Sequence, residues 1–197
     1  MKKLSIATII ASAMIFSACN GSTNSTSATD STSTKSSADT GMNTMINADT
    51  SKATVDQNAV DFAQEAATGG MMEVELGNLA QKNSSFKAVL DYGKMLADDH
   101  TSLNNELKDL ASKKNINLPT TVTSDQQDKI NKLSQETGTK FDKDFISMAV
   151  DDHEKDIDKF KKAGNNITDQ DFKDFIVKAL PKLQEHLDKA KEIKSKM

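Results

Sequence analysis

The chain carries three histidines, His100, His153 and His186, widely separated in sequence. Imidazole titrates near physiological pH, donates or accepts hydrogen bonds, and ligates borderline transition metals. Two of the three end the same pattern, Met-x-x-Asp-Asp-His, at Met95 to His100 and Met148 to His153, 53 positions apart. Such a recurrence points to an internal repeat or a paired function. His100 and His153 fall on the apolar seams of helical stretches, and His186 borders one beside Leu183 and Leu187. A histidine on a seam needs partners, because an unpaired buried polar group costs roughly 1–3 kcal/mol. Asp99 and Asp152 lie about 100° around the helix from the histidine that follows each, so they can only reach toward neighbouring helices.

Two readings are open for these residues. In the first, the histidines hydrogen-bond to carboxylates or backbone groups and fix helix register. In the second, they form a metal site with inward Glu73 or Glu75, since imidazole and carboxylate suit Fe, Mn, Zn or Cu. The di-iron pattern of two Glu-x-x-His pairs is absent, as Ala97, Val150 and Leu183 stand three residues before the histidines. With the last turn set at Gly164-Asn165-Asn166, His153 lies about 12 residues before it and His186 about 20 after, an axial offset of roughly 12 Å. All three histidines around one ion are therefore not expected; Asp156, one turn after His153, leaves a smaller site open. Met71, Met72, Met95 and Met148 could favour Cu(I), but methionine fills helical cores routinely. No Ser/His/Asp arrangement or Gly-rich phosphate loop is visible, so hydrolase chemistry has no anchor.

The elements that must position these residues read as four helical stretches, and the fold class expected is all-α, an antiparallel four-helix bundle. The first runs from about Val55 to Lys82, with Phe62, Ala66, Gly69, Glu73, Leu76 and Ala80 along one face and a weak spot at Gly69-Gly70. The second, Ser84 to Lys114, has Val89, Leu96, His100, Leu103, Leu107 and Leu110 at seam spacing. The third starts weakly at Asp125, breaks around Thr137-Gly138, and resumes from Lys140 to Ala163. The fourth is expected to start with Thr168 as N-cap and Asp171 at N3, and to bend at Pro181.

Upstream of the bundle the sequence changes character. Lys2 and Lys3 precede an apolar stretch, Leu4 to Phe16, too short to span a membrane as a stop-transfer helix. It ends Phe16-Ser17-Ala18-Cys19, which resembles the bacterial lipobox, and Cys19 is the single cysteine of the chain. Residues 1–18 therefore read as a signal peptide, Cys19 as a lipidation site, and residues 19–56, rich in Ser, Thr and Asn, as a disordered tether. The bundle is expected over 57–197. The formal charge of −4 gives no case for nucleic acid, and with no Arg anywhere there is no guanidinium clamp for phosphate.

The runs Ala66 to Gly77, Met95 to His100, Phe141-Asp142, Met148 to His153 and Leu180 to Leu187 together resemble the DUF4142 family. The resemblance spans roughly Asn58 to Lys191. It implies an exported, ferritin-like bundle, often labelled an outer-membrane protein, and leaves the activity open. The positions matching the family's motifs, and so candidates for any family site, are Glu73, Glu75, Asp99, His100, Asp152, His153, Glu185 and His186. The function expected is that of a membrane-anchored envelope lipoprotein with a non-catalytic binding or envelope-maintenance role and an unidentified protein partner. The alternative is a periplasmic metal-binding or metal-dependent redox protein. Asn20 after Cys19, in place of the Asp that retains some lipoproteins at the inner membrane, favours the outer membrane.

Overall fold

The computed structural model describes residues 56–197, so the expected signal peptide, Cys19 and all of the tether but Asp56 lie outside the described residues. Five helices follow: α1 Gln57–Asn83, α2 Lys87–Lys113, α3 Ser124–Ser134, α4 Gly138–Asn166 and α5 Gln170–Lys194. The described part is all-α, and none of its helices is long and apolar enough to cross a membrane.

α1 packs on α2 and α4 on α5, and the two hairpins close through α2 against α5 and α1 against α4. Hydrogen bonds at the two ends fix the chain direction. At one end Asn83, the last residue of α1, donates to the carbonyls of Ser134 (3.2 Å) and Glu136 (2.7 Å), just before α4. At the other, Lys114 beyond α2 pairs with Asp169 at 2.7 Å, at the start of α5. Neighbours in the square α1–α2–α5–α4 thus run antiparallel, while α2 and α4 run the same way on a diagonal. The connection between them, residues 114–137, must climb the full height of a helix about 40 Å long. It holds α3, a helix of its own rather than the weak start of the third stretch. α3 opens with a capping box between Thr123 and Gln126 and packs on α1 and α4. One long crossover in an otherwise antiparallel bundle is the connectivity of ferritin-like folds.

Two expectations about helix ends change. Gly164, Asn165 and Asn166 do not close α4 but are its last turn, with Gly164 lying against Ile176 of α5. Asp169, not Thr168, caps α5, its carboxylate accepting from the amides of Asp171 (3.0 Å) and Phe172 (3.3 Å). Thr168 is occupied elsewhere: its amide and hydroxyl both donate to Asp56, at 2.6 and 2.8 Å. Asp56 caps α1 as well, so one carboxylate ties the start of α1 to the α4–α5 turn. The helical span of α5 continues unbroken through Pro181.

α1 and α2 meet backbone to backbone near one end. A Cβ on Gly77 would lie 2.4 Å from the Gly93 carbonyl oxygen, and one on Gly93 2.5 Å from Ala80 Cβ, so only glycine fits either position. The core divides in two. One cluster gathers Leu76, Tyr92, Leu96, Phe141, Phe145 and Leu187, and the other Phe62, Leu107, Phe172 and Ile176. Met72, Met95 and Met148 all pack in or against the first cluster, as core methionines do. Along α2, His100 stands between Leu96 of the first cluster and Leu103 of the second.

Candidate metal centre

His100 projects from α2, His153 from α4 and His186 from α5, each at an inward position flanked by core residues one turn away. All three are buried, His153 and His186 with no exposed surface. One ring nitrogen from each forms a group whose members lie within 4.8 Å of one another. The expected 12 Å offset between His153 and His186 is therefore overturned. The reason is the extra turn at Gly164-Asn165-Asn166: with the turn moved to Ile167–Asp169, the two histidines are nearly equidistant from it and share a level.

Hydrogen bonds orient two of the rings. His153 Nδ1 lies 2.9 Å from the Ala149 carbonyl oxygen, which can only accept, so Nδ1 carries the proton and Nε2 presents a lone pair. His186 Nε2 lies 3.0 Å from Asp99 Oδ2 and donates to it, leaving Nδ1 as the lone-pair nitrogen of a neutral ring. Those two lone-pair atoms, His153 Nε2 and His186 Nδ1, stand 3.2 Å apart. His100 Nε2 is buried without a hydrogen-bond partner among the described residues.

The electrostatics keep the imidazoles neutral. Burial pushes His153 down to about 4, with the neighbouring His186 adding to the effect. Burial also holds His100 well below the usual histidine range, and His153 and His186 push it further. His186 is lowered by burial, with Asp99 working against it. Burial tends to raise Asp99, but hydrogen bonds from Lys182 (2.6 Å) and His186 outweigh it and hold its carboxyl below the ordinary value. Three uncharged imidazoles with an ionised carboxylate behind one of them are what a metal ion meets in a ready-made site, because no proton has to leave first.

The remaining candidates divide. Asp152 does not approach a histidine; it faces Lys129 of α3 at 3.5 Å. Glu73 is fully buried on α1, yet stands outside the histidine group. Burial drives its carboxyl well upward, and the negative Asp156 and Asp152 drive it further, while Lys129 opposes. Glu75 and Glu185 are exposed on outward faces, because two residues from Glu73 and one from His186 are rotations of about 200° and 100°. Lys182, absent from the sequence-based set, joins Asp99. Its signal was the i, i+4 spacing with His186, which sets both on one face of α5.

The family model described as a domain of unknown function, DUF4142, matches residues 44–193. The chain belongs to the DUF4142 family. No curated protein and no solved structure matches it. The DUF4142 resemblance read from the motifs thus holds across the bundle. Among the described residues, the group of candidate ligands in this DUF4142 domain is three imidazoles with no carboxylate, unlike the Glu-rich centres of di-iron bundles.

Proposed function

We propose that this DUF4142 domain binds one transition-metal ion through His100 Nε2, His153 Nε2 and His186 Nδ1, and acts as a metal-binding or metal-dependent redox protein. The observation that carries the reading is the 3.2 Å separation of two nitrogens whose lone pairs face each other. Two bare lone pairs at that distance repel, and a cation between them removes the conflict. Ligands 2.0–2.1 Å from a tetrahedral ion stand about 3.3–3.4 Å apart, close to the 3.2 Å between His153 and His186, while the group of three lies within 4.8 Å. The Ala149 carbonyl and the Asp99 carboxylate occupy the outer nitrogens, as outer-shell partners of ligating histidines do. Imidazole ligands suit Zn, Cu, Fe and Ni, and three of them leave a fourth position for another ligand.

A second reading is structural. If His186 holds two protons, its Nδ1–H donates to His153 and its Nε2–H to Asp99, and the cation is simply a proton that fixes helix register. The 3.0 Å contact with Asp99 favours it. Elemental analysis after loading with Zn, Cu(II), Fe(II) or Mn(II) and exhaustive dialysis separates the two. Under the metal reading about one ion remains per chain, and Asp99→Asn lowers the affinity roughly 10- to 100-fold with helicity unchanged. Chains that stay metal-free, with Asp99→Asn merely less stable, would establish the structural reading instead.

We further propose that the bundle is exported and lipid-anchored through Cys19, at the outer membrane, and meets a protein partner in the envelope. The charged start, the short apolar stretch and the small residues before Cys19 support this. Cys19→Ser should move the protein from the membrane fraction to the soluble or unprocessed fraction. A processed Cys19→Ser protein that stays membrane-bound would refute the anchor.

A further inference from the structure

A cavity of ≈ 40 Å³ lies between the four long helices, and His100 is among the residues that line it. A water-sized molecule needs roughly 10–15 Å³ measured this way, so the space holds about three. Its walls are mostly apolar, with Phe62, Phe175, Leu103 and Leu183 among them. At its rim stand Glu65, Asp156 and Lys159, where Lys159 of α4 pairs with Glu65 of α1 at 2.5 Å. Both partners are about half exposed, and an ion pair in that setting contributes little, so it opens at small cost.

Gly69 completes the rim. It is half-buried, and a Cβ built there meets only Asp156 Oδ2, at 4.0 Å. Gly70 differs, since a Cβ there would overlap Asn104. The glycine at 69 therefore keeps a space open rather than allowing two backbones to touch. A helix-interior glycine that relieves no clash weakens the helix relative to alanine, and the open cavity is what stands in return.

We infer that the fourth coordination position of the three-histidine centre opens on this cavity, and that it takes a small exogenous ligand of two or three heavy atoms, excluding larger ones. The inference rests on the metal reading above. Three features support it: an imidazole of the ligand group lines the cavity, the apolar walls offer little competition for a metal-bound ligand, and the volume of ≈ 40 Å³ matches two or three heavy atoms. The step is ligand association alone, in which a lone pair of the incoming molecule fills the open position or displaces a bound water.

Azide titration of the Cu(II)-loaded protein, followed by the azide-to-copper charge-transfer band, tests this. The wild type should give a saturable band at one azide per copper, while added imidazole, with five ring atoms, should leave the copper spectrum unchanged. Gly69→Leu, whose Cβ meets nothing nearer than Asp156 Oδ2 at 4.0 Å and which adds a side chain at a residue lining the cavity, should keep its copper and weaken azide binding at least tenfold. Full copper loading with no azide band, with equal response to imidazole, or with azide affinity unchanged in Gly69→Leu would overturn the inference and leave the metal reading standing. Failure of the wild type to hold copper would overturn both. Copper content and helicity of Gly69→Leu are read in the same samples, and the imidazole arm decides the matter if that variant does not fold.

Discussion

Zinc supplied at a thousand times its dissociation constant should raise the melting temperature of the protein by about 12 °C. Binding to the folded state alone stabilises by RT ln(1 + [L]/Kd), roughly 4 kcal/mol at that excess. For a bundle of this size each kcal/mol moves the midpoint by about 3 °C. The ligands are neutral already, so the gain is not eroded by expelling protons. His153→Ala should show no zinc-dependent increment whatever its own starting stability, because it loses the ligand that stands nearest His186. Differential scanning calorimetry of both proteins, with and without zinc, is the measurement. An equal zinc response in the two would mean that zinc binds elsewhere, and a flat response in the wild type to Zn, Cu(II) and Ni would end the metal reading.

Asp156→Asn should stabilise the protein by about 3 kcal/mol above pH 7 and by almost nothing below pH 4. Burial lifts the Asp156 carboxyl from 3.8 to about 6, against the pull of Lys159 and with help from Asp152 and Glu65; Lys129 also opposes the rise. The folded pKa is raised, so the folded protein holds the proton more tightly than the unfolded chain. The stability this contributes is complete below about pH 4 and is lost as pH rises through about 6. A difference of roughly two units corresponds to about 3 kcal/mol. Asparagine copies the protonated carboxyl at every pH, so the variant keeps what the wild type loses. His153 behaves in the opposite sense: its pKa is lowered to about 4, so its contribution is present above 6.5 and lost as pH falls through 4. That trend is common to both proteins and cancels in the difference. Denaturant midpoints at pH 4, 6 and 8 measure it, and a pH-independent offset would mean that Asp156 is not the group titrating.

The inward seams of α1, α2, α4 and α5 could be read from residue spacing, and with them the burial of His100, His153, His186 and Glu73. Their convergence could not. It depends on where α4 stops, and Gly164-Asn165-Asn166 has the composition of a turn while packing on Ile176 extends the helix by another turn. A slip of three residues at that end moves His153 against His186 by about 4.5 Å and, through the matching change in the start of α5, by still more. The repeated Asp-Asp-His also suggested two equivalent positions, yet only Asp99 meets a histidine. Asp152 turns instead to Lys129, on a helix that has no counterpart beside α2. The direction of α4 was equally out of reach, since a connection of 24 residues can return to either end of the bundle. The cavity had a single trace in the sequence, Gly69-Gly70, and the two glycines turn out to serve different purposes.

The long crossover bears on how the centre comes into being. Each hairpin, α1 with α2 and α4 with α5, is built from partners close in the chain, the kind of contact that forms quickly. His153 and His186 belong to the second hairpin and His100 to the first, so the trio exists only after the halves have docked and the strap holding α3 has been drawn along the bundle. An ion held there would act as a latch between two separately assembled halves, and its capture would mark the last step of maturation rather than an early one.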